Sequence, residues 1–98
     1  MTAPDPIRLR ELRDRLGELD AAILELVASR QTIATEIGRI KAAAGRSTRD
    51  FSQEREVALR ARASAATLGL DPQVAEEIAL LLIRASLKAQ ERDRRSEK

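Results

Sequence analysis

The chain has 98 residues, with 18 Lys and Arg against 16 Asp and Glu, so its formal net charge is only +2. It contains no Cys and no His, which excludes disulfides, thiol nucleophiles, imidazole bases and Cys/His metal sites. Few Pro and Gly, a single aromatic residue and an abundance of Ala and Leu are typical of one small all-α domain.

Charge and hydropathy also exclude two classes of partner. Cations and anions are interleaved along the chain, with no basic stripe and no aromatic residues that could stack on bases, so nucleic-acid binding is not expected. No apolar run approaches the roughly 18 residues of a membrane span. The N-terminal stretch MTAPDPIRLRE lacks a signal-peptide core. We therefore expect a cytoplasmic protein without a membrane partner.

The first predicted element is a long helix from about Pro6 to Ala44, with Gly45 as a typical residue just past its end. Apolar residues recur along it at spacings typical of one helix face: Leu9, Leu12, Leu16, Leu19, Ile23, Leu26, Ile33, Ile37, Ile40 and Ala44. The helix would be about 57 Å long, whereas a compact domain of this size has a radius of gyration of about 13 Å. Because the apolar row runs the whole length, we expect a second copy of the chain to cover it across a twofold axis.

A second helix is predicted from about Asp50 to Leu68. Asp50 followed by Gln53 resembles a capping box, and Glu54 favours the positive end of the helix. Gly69 would end it. Its predicted apolar face contains Val57, Ala58, Ala61, Ala65 and Leu68.

A third helix is predicted to begin at Asp71 and Pro72, a typical N-cap followed by proline in the first turn. Its predicted apolar face contains Val74, Ile78, Leu81, Leu82 and Ala85. Residues 91–98 are wholly polar and are either a frayed end or the start of a linker. The chain is thus predicted to be one domain, residues 1–98, with one long, one short and one medium helix in an intertwined homodimer.

The apolar row of the long helix is interrupted by a cation. Arg30 occupies the position between Leu26 and Ile33, and Lys41 projects about 20° from it around the helix. A buried cation is costly without a partner, so these two indicate an anionic ligand. The structural alternative is an ion pair, for example between Arg30 and Glu54.

Ser86 and Gln90 lie four residues apart on one face of the third helix. With Arg30, Lys41 and Glu54 they would give two cations, an amide, a hydroxyl and a carboxylate. No nucleophile–base pair is among them. The set suits a carboxylate-bearing ligand and the stabilisation of developing negative charge.

Five segments together resemble the all-helical chorismate mutase family over residues 7–90: LRELRDRLGELDAAILELVASR, IGRIKAAAG, RDFSQERE, LGLDP and SLKAQ. The resemblance implies a chorismate mutase, which rearranges chorismate to prephenate in phenylalanine and tyrosine biosynthesis. It further implies an intertwined homodimer with two active sites, chorismate as the small-molecule partner, no cofactor and no metal.

The resemblance also implies roles for individual residues. Arg13 resembles the arginine that crosses to the other subunit's site and holds a substrate carboxylate, and Arg30 the arginine that holds the second carboxylate. Lys41 and Gln90 resemble the two donors to the ether oxygen of the breaking bond. Glu54 resembles the acceptor for the ring hydroxyl of the substrate.

Asp50 and Ser86 match flanking contact positions of the family, while Gln53 stands where many members have Arg. This departure removes one possible cation from the site. One geometric observation is independent of the resemblance: Arg13 lies about 100° from Arg30 around the helix, so it does not point into the same pocket.

Other functions stay open at this point. A relative could act as an isochorismate pyruvate-lyase or an aminodeoxychorismate mutase on a similar substrate. The chain could also be a regulatory or dimerisation domain of a fusion protein, or a plain helical dimer.

Overall fold

The computed structural model describes residues 5–96, which form three helices and no strand. Helix α1 spans Pro6–Ala43, α2 spans Phe51–Leu68 and α3 spans Pro72–Ser96. The predicted all-α class, with one long, one short and one medium helix, is confirmed. The first four residues of MTAPDPIRLRE and the last two of the polar tail lie outside the described residues.

Aspartates begin all three helices, because a short carboxylate can accept a free N–H of the first turn. Asp5, Asp50 and Asp71 each accept one such bond through Oδ1, at 3.0, 3.0 and 2.8 Å. Asp50 and Asp71 were predicted in this role. Gly45 and Gly69 follow α1 and α2 with φ of 69° and 71°, the left-handed conformation that glycine adopts without strain.

Helix α3 packs against both other helices, whereas α1 and α2 do not pack against each other within the described residues. The buried apolar side chains are small, apart from one isoleucine: Ala34, Ala58, Ala65, Ala75, Ala79 and Ile83. No large side chain of the described chain is fully buried. Alanine contacts let helix backbones approach closely, but they remove little apolar area from water.

The alanine packing corrects the predicted apolar face of α3. Val74, Ile78 and Leu81 are 44%, 49% and 57% exposed, while Ala75 and Ala79 beside them are buried. The face toward α2 and α1 is therefore rotated by about one residue from the predicted one. These large side chains flank the contact, whose buried apolar residues on α3 are Ala75, Ala79 and Ile83.

The N-terminal half of α1 stands clear of the other helices. Every residue from 5 to 26 is exposed, including the row of six large apolar side chains in this half: Leu9, Leu12, Leu16, Leu19, Ile23 and Leu26. The described chain extends 66 × 30 × 14 Å, with a radius of gyration of 18.4 Å. That exceeds the roughly 13 Å of a compact domain this long. Within residues 5–96, no helix combines the length and apolar character needed to cross a membrane.

Helices α1 and α3 approach closely where Gly38 faces Gln90. Both residues are buried, and Gln90 Nε2 donates a hydrogen bond of 2.8 Å to the backbone carbonyl of Ala34. A Cβ placed on Gly38 would lie 2.9 Å from Cγ of Gln90. A side chain at position 38 would therefore displace Gln90 or push the two helices apart.

The C-terminal end of α3 is also attached to α1. The helix continues to Ser96, so residues 91–96 are helical rather than frayed. Arg39 binds the Asp93 carboxylate through Nε and Nη2 at 2.9 and 2.7 Å. These hydrogen bonds, and the positive charge of Arg39, lower the pKa of Asp93. The linker interpretation of residues 91–98 stays a prediction.

We predict opposite effects for alanine at two glycines of α1. Gly38→Ala should lower the free energy of unfolding by about 1–2 kcal/mol, because overpacking against Gln90 outweighs the gain in helix propensity. Gly17→Ala is the matched control, since a Cβ there meets nothing within 4 Å. It should raise stability by up to about 1 kcal/mol. Urea unfolding at one protein concentration measures both, and equal effects would contradict the proposed contact.

Candidate active site

A cleft opens between α1 and α2, with α3 as its floor, and contains about 730 Å³ of empty space, part of it open to solvent. Its apolar wall consists of Ile33, Ala34, Ile37, Val57, Ile83 and Leu87. Its polar lining consists of Arg30, Lys41, Thr48, Asp50, Gln53, Glu54, Ser86 and Gln90. Every residue predicted for the site lines this cleft except Arg13.

Arg30 is held by neutral groups rather than by an anion. Its Nη1 donates to the Leu82 carbonyl at 3.0 Å and to the Ser86 hydroxyl, which itself donates to Leu82 at 3.0 Å. No carboxylate of the described residues lies within ion-pair distance of Arg30. The guanidinium is therefore fixed in direction, its charge is uncompensated, and its remaining N–H groups are available to a ligand. Ser86, predicted as a contact residue, here orients Arg30.

Lys41 is the second uncompensated cation of the cleft. It lies half-buried in the last turn of α1, and no carboxylate in residues 5–96 lies within 4.0 Å of its ammonium group. Its position at the C-terminal end of α1 is favoured by the helix dipole. With Arg30 it gives the α1 side of the cleft a positive potential that suits an anion.

Glu54 faces the cleft from the first turn of α2, but its partner is Arg49 rather than Arg30. Arg49 Nε and Nη2 each donate to one carboxylate oxygen at 2.8 Å. The predicted alternative, in which Arg30 pairs with Glu54, is not present. The hydrogen bonds to Glu54 raise the pKa of Arg49. Each carboxylate oxygen can still accept a further hydrogen bond from a ligand.

Gln90 is the most buried polar side chain of the cleft, at 7% exposure. One Nε2 hydrogen is used on the carbonyl of Ala34, which leaves the second available to a ligand. Its Oε1 is buried and has no partner among the described residues. The amide is thus anchored at one end and incompletely satisfied, as expected of a group that completes its hydrogen bonds on ligand binding.

The loop before α2 contributes one group that sequence reasoning did not find. Thr48 lines the cleft, and its Oγ1 is buried without a partner among the described residues. Asp50 also lines the cleft while it caps α2, and the exposed Gln53 lies at the rim. Sequence analysis likewise missed Arg49, although it lies in the segment RDFSQERE. Proximity to Asp50 and Glu54 was the only available signal.

Arg13 lies far from this cleft. It is exposed on the free half of α1, about 25 Å along the helix axis from Arg30 at 1.5 Å per residue. An extended arginine side chain cannot cross that distance. If Arg13 serves a cleft of this kind, the cleft belongs to another copy of the chain.

The arrangement provides charge and hydrogen bonds but no conventional acid–base pair. Two cations and an amide donor project from α1 and α3, and a carboxylate acceptor projects from α2. Such a set can bind an anion with a hydroxyl group in one orientation and stabilise negative charge that develops on it.

The sequence matches known proteins over most of its length. It is 31% identical to the bifunctional chorismate mutase/prephenate dehydratase of Escherichia coli (strain K12) over 91 residues, which is 93% of this chain and 23% of that protein. It is 32% identical to the T-protein of Enterobacter agglomerans over 80 residues, 80% of this chain and 21% of that protein. The chain therefore spans less than a quarter of the length of these relatives.

The family described as chorismate mutase type II matches residues 12–91, which contain all three helices apart from their outer ends and every polar group of the cleft. The match agrees with the sequence segments that indicated an all-helical chorismate mutase. The chain belongs to the chorismate mutase type II family.

Proposed function

We propose that this chain catalyses the rearrangement of chorismate to prephenate in the cleft between α1 and α2. The observation that carries the proposal is the pair of uncompensated cations, Arg30 and Lys41, facing an amide and a carboxylate across one cleft. Chorismate carries two carboxylates, a ring hydroxyl and an ether oxygen. Within the cleft, Arg30 is complementary to one carboxylate, Glu54 to the ring hydroxyl, and Lys41 with Gln90 to the ether oxygen. The second carboxylate is the group that Arg13 of another copy would bind.

Binding would begin with the carboxylates of chorismate. Arg30 is oriented by Leu82 and Ser86, so it can offer its free N–H groups to one carboxylate without further ordering. Glu54 would accept the ring hydroxyl from the opposite side. Contacts at both ends would hold the flexible dianion in the compact, chair-like conformer that the reaction requires.

The chemical step needs no proton transfer, because the rearrangement is unimolecular. As the C–O bond breaks, partial negative charge develops on the ether oxygen. Lys41 and the free Nε2 hydrogen of Gln90 would stabilise that charge more strongly than they stabilise the ground state. The proposal includes no metal and no cofactor.

We further propose that the active enzyme is a homodimer and that Arg13 of each subunit enters the other subunit's cleft. Supporting this are the exposed apolar row on residues 5–26 and the elongated shape of the single chain. The distance of Arg13 from its own cleft also supports it. Assignment of residues 1–98 to one domain, and of the protein to the cytoplasm, stay predictions of the sequence.

Turnover of pure chorismate tests the activity. We expect absorbance of chorismate to disappear with formation of prephenate, at a rate unchanged by a metal chelator. Lys41→Ala should lower kcat/KM by at least about 100-fold, since it removes a transition-state contact. Absence of turnover, or faster release of pyruvate from isochorismate or rearrangement of aminodeoxychorismate, would replace this proposal with one of the alternatives.

Sedimentation equilibrium tests the assembly. At micromolar concentration we expect twice the chain mass, because the apolar row of α1 would otherwise stay in water. Leu16→Glu, in the middle of the row, should shift the mass toward the monomer. Gly17→Ala is the control: position 17 lies about 100° around the helix from Leu16, so this change should leave the mass at that of the dimer. A helical monomer of the native chain would contradict the proposed homodimer.

Mixing two inactive variants tests the crossed arginine. Arg13→Ala and Lys41→Ala should each be nearly inactive as homodimers. If Arg13 serves the partner's cleft, each mixed dimer contains one intact site, so refolding the two together should restore roughly a quarter of native activity. No recovery, with mixed dimers shown to be present, would place both residues in the same subunit's site.

A further inference from the structure

We propose that Arg49 is a positioning residue for this reaction: it fixes the Glu54 carboxylate toward the substrate and offsets its negative charge. The inference rests on the function proposed above. Arg49 itself does not line the main cleft. It lies behind Glu54, in the loop between α1 and α2, and would act on the substrate through that carboxylate.

The contact between Arg49 and Glu54 defines the orientation of both side chains. Two parallel N–H to oxygen bonds of 2.8 Å engage both carboxylate oxygens. A planar guanidinium in this arrangement fixes the plane of the carboxylate as well as its distance, which an ammonium group cannot do. The Glu54 side chain is 21% exposed and lines the main cleft, so it stays accessible to a ligand there while Arg49 holds it. It also lines a second depression, which it shares with Arg49.

Arg49 is itself held by an aromatic ring. Its guanidinium carbon lies 4.5 Å from the centroid of Phe51, the first residue of α2 and the only aromatic residue of the chain. A guanidinium over a ring gains cation–π stabilisation while its edge stays free to bind a carboxylate. Ring and carboxylate together limit the rotamers open to a side chain that would otherwise be mobile in solvent.

The charge balance of the cleft gives the pair a second role. The lining contains two cations, Arg30 and Lys41, and two carboxylates, Asp50 and Glu54. A dianionic substrate would meet no net positive charge from this set. Arg49, bonded to Glu54, makes the local sum positive and reduces the repulsion between Glu54 and the substrate.

The neutral residue before Glu54, Gln53, makes the positive charge of Arg49 more important. Gln53 is neutral, so it offers no cation at the rim of the cleft. Arg49 is the cation that the described structure bonds to Glu54. The orientation and the charge of this acceptor thus depend on one side chain outside the cleft.

If Arg49 only stabilised the fold, its replacement would lower stability as much as it lowers catalysis. The Arg49 side chain is 48% exposed, and exposed ion pairs contribute little to stability. Its replacement should therefore leave the melting temperature within a few degrees of native, while catalysis changes much more. That contrast separates positioning from helix stabilisation.

The experiment measures kcat and KM for chorismate in Arg49→Ala, Arg49→Lys and Arg46→Ala, each also in a Glu54→Gln background. Arg46 is the matched control, because it is an arginine of the same loop whose side chain is not bonded to Glu54. We expect kcat/KM to fall at least tenfold in Arg49→Ala, through a lower kcat and a higher KM, and less than threefold in Arg46→Ala. Arg49→Lys should keep KM near native but not kcat, because it retains the charge and loses the second hydrogen bond.

The double variants decide whether Arg49 acts through Glu54. In the Glu54→Gln background, Arg49→Ala should lower kcat/KM no more than Arg46→Ala does, since the effects of substitutions at coupled residues are not additive. The inference is overturned if the native chain turns over chorismate and Arg49→Ala behaves like Arg46→Ala, or if its full effect persists without Glu54. If Arg49→Ala does not fold, Arg49→Lys with native kcat overturns it equally. A native chain inactive on chorismate removes the proposed function and this inference together, and all variants are then inactive alike.

Discussion

The site depends on one constraint: α3 is the only helix that packs against both α1 and α2 within the described chain. Because α1 and α2 do not pack against each other, the distance between them depends on how closely each packs on α3. Buried alanines of α2 and α3 allow close packing on the α2 side, and Gly38 against Gln90 allows it on the α1 side. The cleft is therefore a consequence of small residues at these two contacts. Gln90, the polar side chain at the contact with Gly38, is also a candidate catalytic group.

Charge is distributed unevenly across this cleft. Arg30 and Lys41, the two cations that α1 contributes to the cleft, have no carboxylate partner within residues 5–96. Glu54 is bonded to Arg49, and Asp50 accepts a hydrogen bond from the backbone of α2. The two cleft cations thus lack an ionic partner, whereas the Glu54 carboxylate has one in Arg49. Such a distribution binds anions without any group changing protonation state, which is consistent with a chain that contains no histidine.

The sequence predicted most of the cleft, and the helix bounds except the C-terminal end of α3, because these features follow from local rules. Aspartates and glycines marked the helix ends, and the 3.6-residue period placed Arg30 and Lys41 on one side of α1. It did not predict the rotation of the α3 face, because alanine has too weak a hydropathy to outweigh the neighbouring Val74 and Ile78. Nor did it reveal the hydrogen bonds of Arg30 to Leu82 and Ser86, because these depend on how α1 and α3, which are distant in sequence, pack against each other. Thr48 and Arg49 lie in a loop whose conformation has no periodicity.

The extension of α3 beyond the cleft has a mechanical consequence. Helix ends unwind transiently in their last turn, and a catalytic amide placed there would lose its geometry whenever that happened. Gln90 is separated from the end at Ser96 by more than a turn and a half, and the Arg39–Asp93 pair clamps the intervening segment to α1. Fraying of the last turn would therefore leave Gln90 within intact helix, on the cleft side of the hydrogen bonds between Arg39 and Asp93.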